Sequence, residues 1–258
     1  MTYSIAIPSY ERADKINKAT YKMLLENKLQ DKKVYVFLNT DADIKAYTEA
    51  HKSDLKVQYV KTGKKGIKDT RNFMTKYFKQ GSKVLYLDDD IIGVNKGEPT
   101  GMKMTRVYNL SELASKGFGL CDSKKLGKWG INPSQNQRSL KNTDTTFDLR
   151  YVGRCYGEVV NHKVLNTVSL AEDFERSILY YKLYGGVIRF NNYTVMSSNY
   201  AKGGLLAGGR NLSNEKADKE LVAKKYPKYA KTFMRTEGSG RTDLRLIKNP
   251  DSPLKELF

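Results

Sequence analysis

The sequence predicts an α/β fold, a mixed and mainly parallel sheet doubly wound with helices. Two observations carry the prediction. Short apolar runs of β type alternate with helical segments through the amino-terminal third, and each run stops at a polar, acidic or glycine-containing loop. βαβ alternation with short loops gives parallel strands and right-handed crossovers. In open sheets of this class ligands sit outside the carboxyl ends of the strands, so polar groups placed there meet a substrate.

Thr2–Pro8 (TYSIAIP) reads as a first buried strand that ends at proline. Ser9-Tyr10-Glu11-Arg12 turns into a helix with Asp14 as its N-cap and an apolar stripe of Ile16, Ala19, Met23 and Leu24. Lys33–Leu38 is a second strand, stopping at the acidic stretch Asn39–Asp43. Lys56–Val60 is a third, running into the basic loop Lys61–Lys68 (KTGKKGIK). The next helix is expected from Asp69, with Phe73, Met74, Tyr77 and Phe78 on its apolar side and Gly81 closing it. Lys68 and Arg71, in or near its first turn, either hold an anion at the free helix amides or are solvated surface charges.

The central strand, Val84–Leu87, delivers three consecutive carboxylates, Asp88, Asp89 and Asp90. While the chain stays extended, Asp88 and Asp90 face one side and Asp89 the other. Two hard oxygen donors on one side suit Mg²⁺ or Mn²⁺; the alternative is an acidic turn with solvated charges.

Residues 95–150 read as a long polar stretch with one modest helix, Leu110–Lys116, and as a functional loop. The single tryptophan, Trp129, either stacks on a base or sugar or anchors this loop to the core. Tyr151–Val160 returns as a strand and Asn161–Lys163 as a turn. Leu170–Glu175 (LAEDFE) opens a helix with Phe174, Ile178 and Tyr181 on one side and Gly185-Gly186 at its end. Glu172 and Asp173 in its first turn complement the helix dipole, a structural explanation that stands beside any functional one. Val187–Met196 is a further strand, and Lys202–Arg210 a glycine-rich loop that either admits phosphate or works as a flap. A basic helical segment, Ser213–Tyr226, precedes a tail bearing Lys228, Lys231, Arg235, Arg241, Arg245 and Lys248.

The 258 residues, 39% hydrophobic, suffice for the core of one large domain. No run approaches the roughly 18 apolar residues that span a bilayer, and the amino terminus (MTYSIAIPSY) has no signal-peptide pattern, so a cytoplasmic protein is expected. Cys121 and Cys155 fit no metal or redox spacing and are expected as reduced, packed thiols. The net charge of +18, from 46 Lys and Arg against 28 Asp and Glu, favours polyanions, of which nucleic acid is the most abundant in a cytoplasm. A lysine-rich proteome would give the same excess without any such partner.

Five signals fall in a set order: SIAIPSYER at the first strand, a strand ending at Asp41, GIKDTRN before a helix, LYLDDDI, and AEDF opening a late helix. That order resembles the nucleotide-diphospho-sugar glycosyltransferases of the GT-A fold, with their DxD and downstream ED motifs. WGINPSQN between those motifs, in a basic chain, is similar to phage enzymes that add sugars to hydroxymethylated DNA bases, including the TET-associated glycosyltransferases. The resemblance implies a catalytic domain over residues 1–210, with an acceptor loop at 95–150, and a basic helical segment, 211–258, packed on it.

It also implies roles. Pro8, Ser9, Arg12 and Asp41 would surround the nucleoside, Lys68 and Arg71 would lie along the nucleotide, and Asp88 and Asp89 would line the same donor site. Asp88 and Asp90 would hold Mn²⁺ or Mg²⁺ on the diphosphate of a UDP-sugar. Asp173 would accept the proton of the attacking hydroxyl in an inverting reaction, with Glu172 as the fallback base; Trp129, Asn132 and Arg154 would meet the acceptor. One departure is the missing histidine ligand after the ED helix. The only histidines are His51, expected to be exposed, and His162, in a turn, so the metal is left either to the DxD carboxylates with phosphates and water or to an asparagine such as Asn191 or Asn199. The implied substrate is a hydroxymethylpyrimidine such as 5-hydroxymethylcytosine, or a sugar already on it, in double-stranded DNA. The alternatives are the same fold acting on a polysaccharide, lipid-linked sugar or protein, and a non-catalytic nucleic-acid-binding protein.

Overall fold

Side-chain alternation along the first strands decides the architecture. The computed structural model describes residues 1–99, 101, 103–140, 144–198, 211–234 and 241–247. Strands β1 (Ser4–Pro8), β2 (Val34–Leu38), β3 (Val57–Lys61) and β4 (Lys83–Leu87) lie parallel in the order β3-β2-β1-β4. Ile5, Ile7, Leu85 and Leu87 point into one core layer, whereas Ala6, Val84 and Tyr86 point into the other. A sheet apolar on both faces needs cover on both.

On the first face lie α1 (Ala13–Ile16), a π-helical turn (Asn17–Tyr21), α2 (Lys22–Glu26), α3 (Asp41–Ala50) and α5 (Leu110–Lys124), contributing Ile16, Met23, Leu24, Tyr47 and Phe118. On the second lie α4 (Ile67–Tyr77), α6 (Glu172–Tyr184) and α7 (Leu212–Lys225), contributing Met74, Ile178, Tyr181 and Val222.

Beyond β4 the sheet becomes mixed. β9 (Cys155–Val159) runs antiparallel between β4 and β7 (Lys128–Asn132). β10 (Ile188–Ser197) is parallel to β7 over its first half. Its second half pairs antiparallel with β5 (Ile91–Gly97), which in turn carries β6 (Met104–Val107). The short β8 (Thr145–Thr146) also pairs with β10. After α7 comes a hairpin, β11 (Ala230–Met234) and β12 (Thr242–Leu246).

Several expectations need correction. The 95–150 stretch is built structure and not a long loop: α5 has 15 residues and β7 is buried along its whole length. The polar look of this stretch has two causes. Gly117 and Gly157 are needed for close packing, since a Cβ at either would fall within 2.3 Å of the Trp129 ring. Lys128, in the middle of the core, is paired with Glu158 at 2.7 Å. α3 was not expected. Its start is a capping box in which Thr40 and Asp43 satisfy each other's backbone amides. The N-caps are Arg12 and Gly66 in place of Asp14 and Asp69, and α4 ends at Tyr77, before Gly81. The carboxyl-terminal segment is a helix followed by a hairpin and not helix alone. Residues Lys202–Arg210, Asn199, Arg235 and Lys248 lie outside the described residues.

Candidate active site

Two strand ends and one helix start converge on the acidic triplet. β1 ends at Pro8, and the adjacent β4 ends at Leu87, whose partner on the other side is Cys155 at the start of β9. The backbone amide of Asp88 donates to Arg154 O at 3.0 Å, and Thr20 Oγ1 donates to Asp88 O at 2.8 Å while accepting from the Ile91 amide at 3.0 Å. Thr20 thereby clamps the turn between β4 and β5.

That turn overturns the expected side-chain pairing. The chain does not stay extended through the triplet, since Asp89 and Asp90 form the turn itself. Asp89 and Asp90 share Arg12, whose Nη1 lies 2.5 Å from Asp89 Oδ1 and 3.4 Å from Asp90 Oδ2. Ser9 Oγ donates to Asp89 Oδ2 at 2.5 Å and contacts Tyr47 OH at 2.6 Å, and Tyr47 OH accepts from the Arg12 amide. Asp88 turns instead to Arg71, 3.1 Å away.

Arg71 is not a surface charge. It is buried, its guanidinium lies 5.5 Å from the centroid of the Tyr156 ring, and its Nε and Nη1 have no hydrogen-bond partner among the described residues. Asp88, Glu172 and Asp173 all act on it electrostatically, so the triplet and the start of α6 share one field. Burial pushes the Asp88 carboxyl up to about 7 against the pull of Arg71, and Asp173, Asp90 and Asp89 add to the rise. Burial and then Asp173 raise Glu172 well above the usual carboxylate range. Asp173 Oδ1 is buried without a partner, and Tyr151 OH reaches Oδ2 at 3.5 Å. Gly153 leaves room for this pair, because a Cβ would stand 2.8 Å from Asp173 Oδ2 and 2.9 Å from Tyr151 OH and one of them would have to shift. More carboxylates than cations have been gathered in one desolvated place, the arrangement expected where a cation or a proton is to be handled.

The structure therefore brings together Ser9, Arg12, Arg71, Asp88, Asp89, Asp90, Glu172 and Asp173. Arg154 stands at the edge: it bears on Tyr151 electrostatically, and its Nη1 donates to Ser197 Oγ at 3.0 Å, where Gln135 Nε2 also donates. Pro8 is the residue before Ser9, on the same rim. Asp41 is exposed in the first turn of α3, at the carboxyl end of β2, and pairs with Lys61. Lys68 pairs with Asp69 at 3.7 Å.

Two expected acceptor residues have other work. Trp129 is fully buried, edge-on to Phe118 and Phe190, and so belongs to the core. Asn132 is buried too, its amide donating to Ser139 O and Asn191 O. Asn191 in turn donates to Asp144 O and accepts from Arg189, which gives it a structural role. His51 is half-buried, bonded to Tyr59 OH and Ser53 O, and His162 contacts Phe78 O past the Val159 end of β9, the end away from the triplet. Both cysteines are free and buried. The basic carboxyl-terminal segment is partly neutralised: Lys219 pairs with Glu215 and Asp243, Lys225 with Glu175, and Arg241 with Glu215.

Tyr47, Thr20 and Tyr151 were not anticipated from the sequence. Nothing local marks them, since each acts on a partner more than 20 residues away.

No protein-family model and no curated protein matches this sequence. Solved structures do. A mannosyltransferase from Pyrobaculum calidifontis, in complex with GDP-Man and Mn²⁺, superposes with a TM-score of 0.54 at 15% identity, covering 78% of this chain and 57% of that one. Glucosyl-3-phosphoglycerate synthase from Mycobacterium tuberculosis, in complex with Mg²⁺ and UDP, superposes with a TM-score of 0.49 at 12% identity, covering 100% of this chain and 92% of that one. The first likeness shows a shared fold, the GT-A, Rossmann-like arrangement of a mixed sheet between helical layers.

Proposed function

We propose that this chain is a glycosyltransferase that moves a sugar from a nucleotide-diphosphate sugar, UDP-linked in the simplest case, to an acceptor hydroxyl. One observation carries the reading: at the strand-end rim of a GT-A sheet, the carboxylates after β4 and those opening α6 share one desolvated field around Arg71. The solved structures with this fold that hold a nucleotide and a metal support it.

On this reading Pro8, Ser9, Arg12 and Asp41 form the nucleoside side of the cleft, with Lys68 along the nucleotide. The donor set suits Mg²⁺ or Mn²⁺, because its free oxygens are hard carboxylate donors. Among the described residues no three metal-ligating side chains converge, so Asp88 and Asp90 would hold the ion together with phosphate oxygens and water. When bound, it supplies positive charge where the departing diphosphate becomes negative.

The chain's own groups do the rest. Arg71, buried beside Asp88, contributes a fixed positive charge toward the phosphates. Asp173 takes the proton of the attacking hydroxyl, as the new C–O bond forms and the electrons of the old one leave with the diphosphate. Glu172, which burial and Asp173 keep from ionising, is the poorer base of the two. This assignment is for an inverting transfer; in a retaining one Asp173 positions the acceptor.

For the acceptor we hold to a hydroxymethylated pyrimidine, or a sugar already on it, in double-stranded DNA. Its support is now the net charge of +18 and Arg154 beside the carboxylates, without Trp129 and Asn132. The test incubates DNA containing 5-hydroxymethylcytosine, and unmodified DNA, with a panel of nucleotide sugars and Mn²⁺, followed by nucleoside mass analysis. A gain of one sugar on the modified DNA alone is expected. Donor hydrolysis without any gain on DNA would move the acceptor to a polysaccharide, lipid-linked sugar or protein. No turnover of any donor would defeat the glycosyltransferase reading itself.

A further inference from the structure

A second cavity, of about 450 Å³, opens at the other end of β5 from the acidic triplet. Its lining includes Lys96 and Gly97 at the end of that strand. The six-residue run from Asp90 to Lys96 along extended chain places it roughly 20 Å from the carboxylates, at ~3.3 Å per residue. It is therefore not part of the donor site.

The cavity exists because β10 changes partners. Its pairing with β7 is broken between Phe190 and Thr194, and its pairing with β5 begins at Tyr193, so the residues between sit at an irregularity that re-aims their side chains. Asn192 is one of them. It is 5% exposed, lines the cavity, and its side-chain amide has no hydrogen bond among the described residues. The amide is not among the buried polar atoms that lack a partner, so it is open to the cavity, where it can meet a polar group of a ligand.

The remaining lining identifies the chemistry. Lys116, from α5, lies 5.6 Å from the Phe190 ring centroid, and Lys96 lies 5.6 Å from that of Tyr193. Both ammonium groups are held at the wall by aromatic faces and neither is in an ion pair among the described residues. Among the described lining residues Glu98 is the one acidic group, against Lys96 and Lys116. Thr105 and Thr145 add hydroxyls. Two cations, an unused amide, hydroxyls and aromatic faces, in a volume suited to a small molecule, match a polyhydroxylated anion.

We infer that this cavity is a second binding site, for a negatively charged saccharide such as a sugar phosphate or a sugar carboxylate. It is independent of the glycosyltransferase reading. Calorimetric titration with glucose 6-phosphate, glucuronate, glucose and inorganic phosphate tests it, with UDP plus Mn²⁺ titrated separately as a control on the donor site. At least one charged sugar should bind saturably below millimolar concentration, and at least tenfold tighter than glucose or phosphate. Whichever charged sugar binds more tightly identifies the anionic group. Binding should also perturb the fluorescence of Trp129, the only tryptophan, which packs edge-on against Phe190 with ring centroids 6.0 Å apart.

Asn192→Leu, and separately the double variant Lys96→Met with Lys116→Met, should each weaken the charged sugar at least tenfold and leave UDP affinity unchanged. The two lysines are exposed, so the double variant tests the site even if Asn192→Leu fails to fold. No saturable binding of either charged sugar, binding of phosphate as tight as that of the sugars, or binding unaffected by the lysine changes would overturn the inference.

Discussion

Two clusters of charge in this molecule are built on opposite principles. In the core, Glu158 accepts from Lys128 Nζ at 2.7 Å and from Arg176 Nε and Nη2 at 2.7 and 2.6 Å, so that every charge has an opposite neighbour. Those two cations outweigh burial and hold the Glu158 carboxyl down at about 2, while burial lowers the Lys128 amine to about 8. At the rim of the sheet, Asp88 has one cation for several carboxylate neighbours and sits at about 7, and Asp173 keeps a buried oxygen without a partner. The first cluster is complete within the chain. The second is complete only with something from outside. That contrast goes with exposure: the Glu158 network is closed to solvent, whereas the Asp88 and Asp90 side chains are 33% and 21% exposed and can be reached from outside.

The contrast predicts opposite responses to mutation. At the rim, Asp173→Asn or Asp90→Ala should lower turnover by about 10³-fold and leave the melting temperature unchanged or slightly higher, as measured by initial rates beside thermal unfolding. In the core, Glu158→Gln should reverse that pattern. It leaves Lys128 and Arg176 buried without their anion, so unfolding in urea should show a loss of about 3–5 kcal/mol. Unchanged stability in Glu158→Gln would mean that the two clusters do not differ as described.

A smaller effect comes from pH. Asp88 has a folded-state value raised above that of the unfolded chain, so the folded protein holds the extra proton between about pH 4 and 7. Without metal, stability should therefore fall as pH rises through that window. Asp88→Asn should flatten this part of the profile, stabilising the protein at pH 7.5 more than at pH 5, and divalent-cation affinity should rise through about pH 7 as Asp88 ionises. A wild-type profile that rises across the window and is untouched by Asp88→Asn would contradict the crowding of carboxylates.

The smallest effect is expected where the two clusters meet. Tyr156 has Lys128 Nζ 3.5 Å from its ring centroid and Arg71 at 5.5 Å, and its hydroxyl is buried without a partner. The ring, not the hydroxyl, joins core to rim. Tyr156→Phe should change stability by less than about 0.5 kcal/mol with full activity, whereas Tyr156→Leu should impair both, in parallel unfolding and rate measurements.

Much of this was legible in local order. Strand, acidic or glycine loop, helix is a pattern of neighbours along the chain. It places β1, β2, β3 and β4, the Asp88–Asp90 triplet at a strand end, and Glu172 and Asp173 at a helix start. Those features follow from period, capping and turn chemistry, which act over a few residues.

What the chain order could not contain is which distant groups meet. The same acidic triplet reads equally well as a metal pincer or a solvated turn. Only the folded structure shows Asp88 on Arg71 of α4 and Asp89 with Asp90 on Arg12, the residue that caps α1. Trp129 could be read either as a stacking ring or as a core anchor because the glycines that make room for it, Gly117 and Gly157, are not its neighbours in the chain, and the partner of Lys128, Glu158, lies on another strand. Desolvation and charge pairing are properties of a place in three dimensions. They are set when the sheet closes between its helices, and no window of sequence holds them.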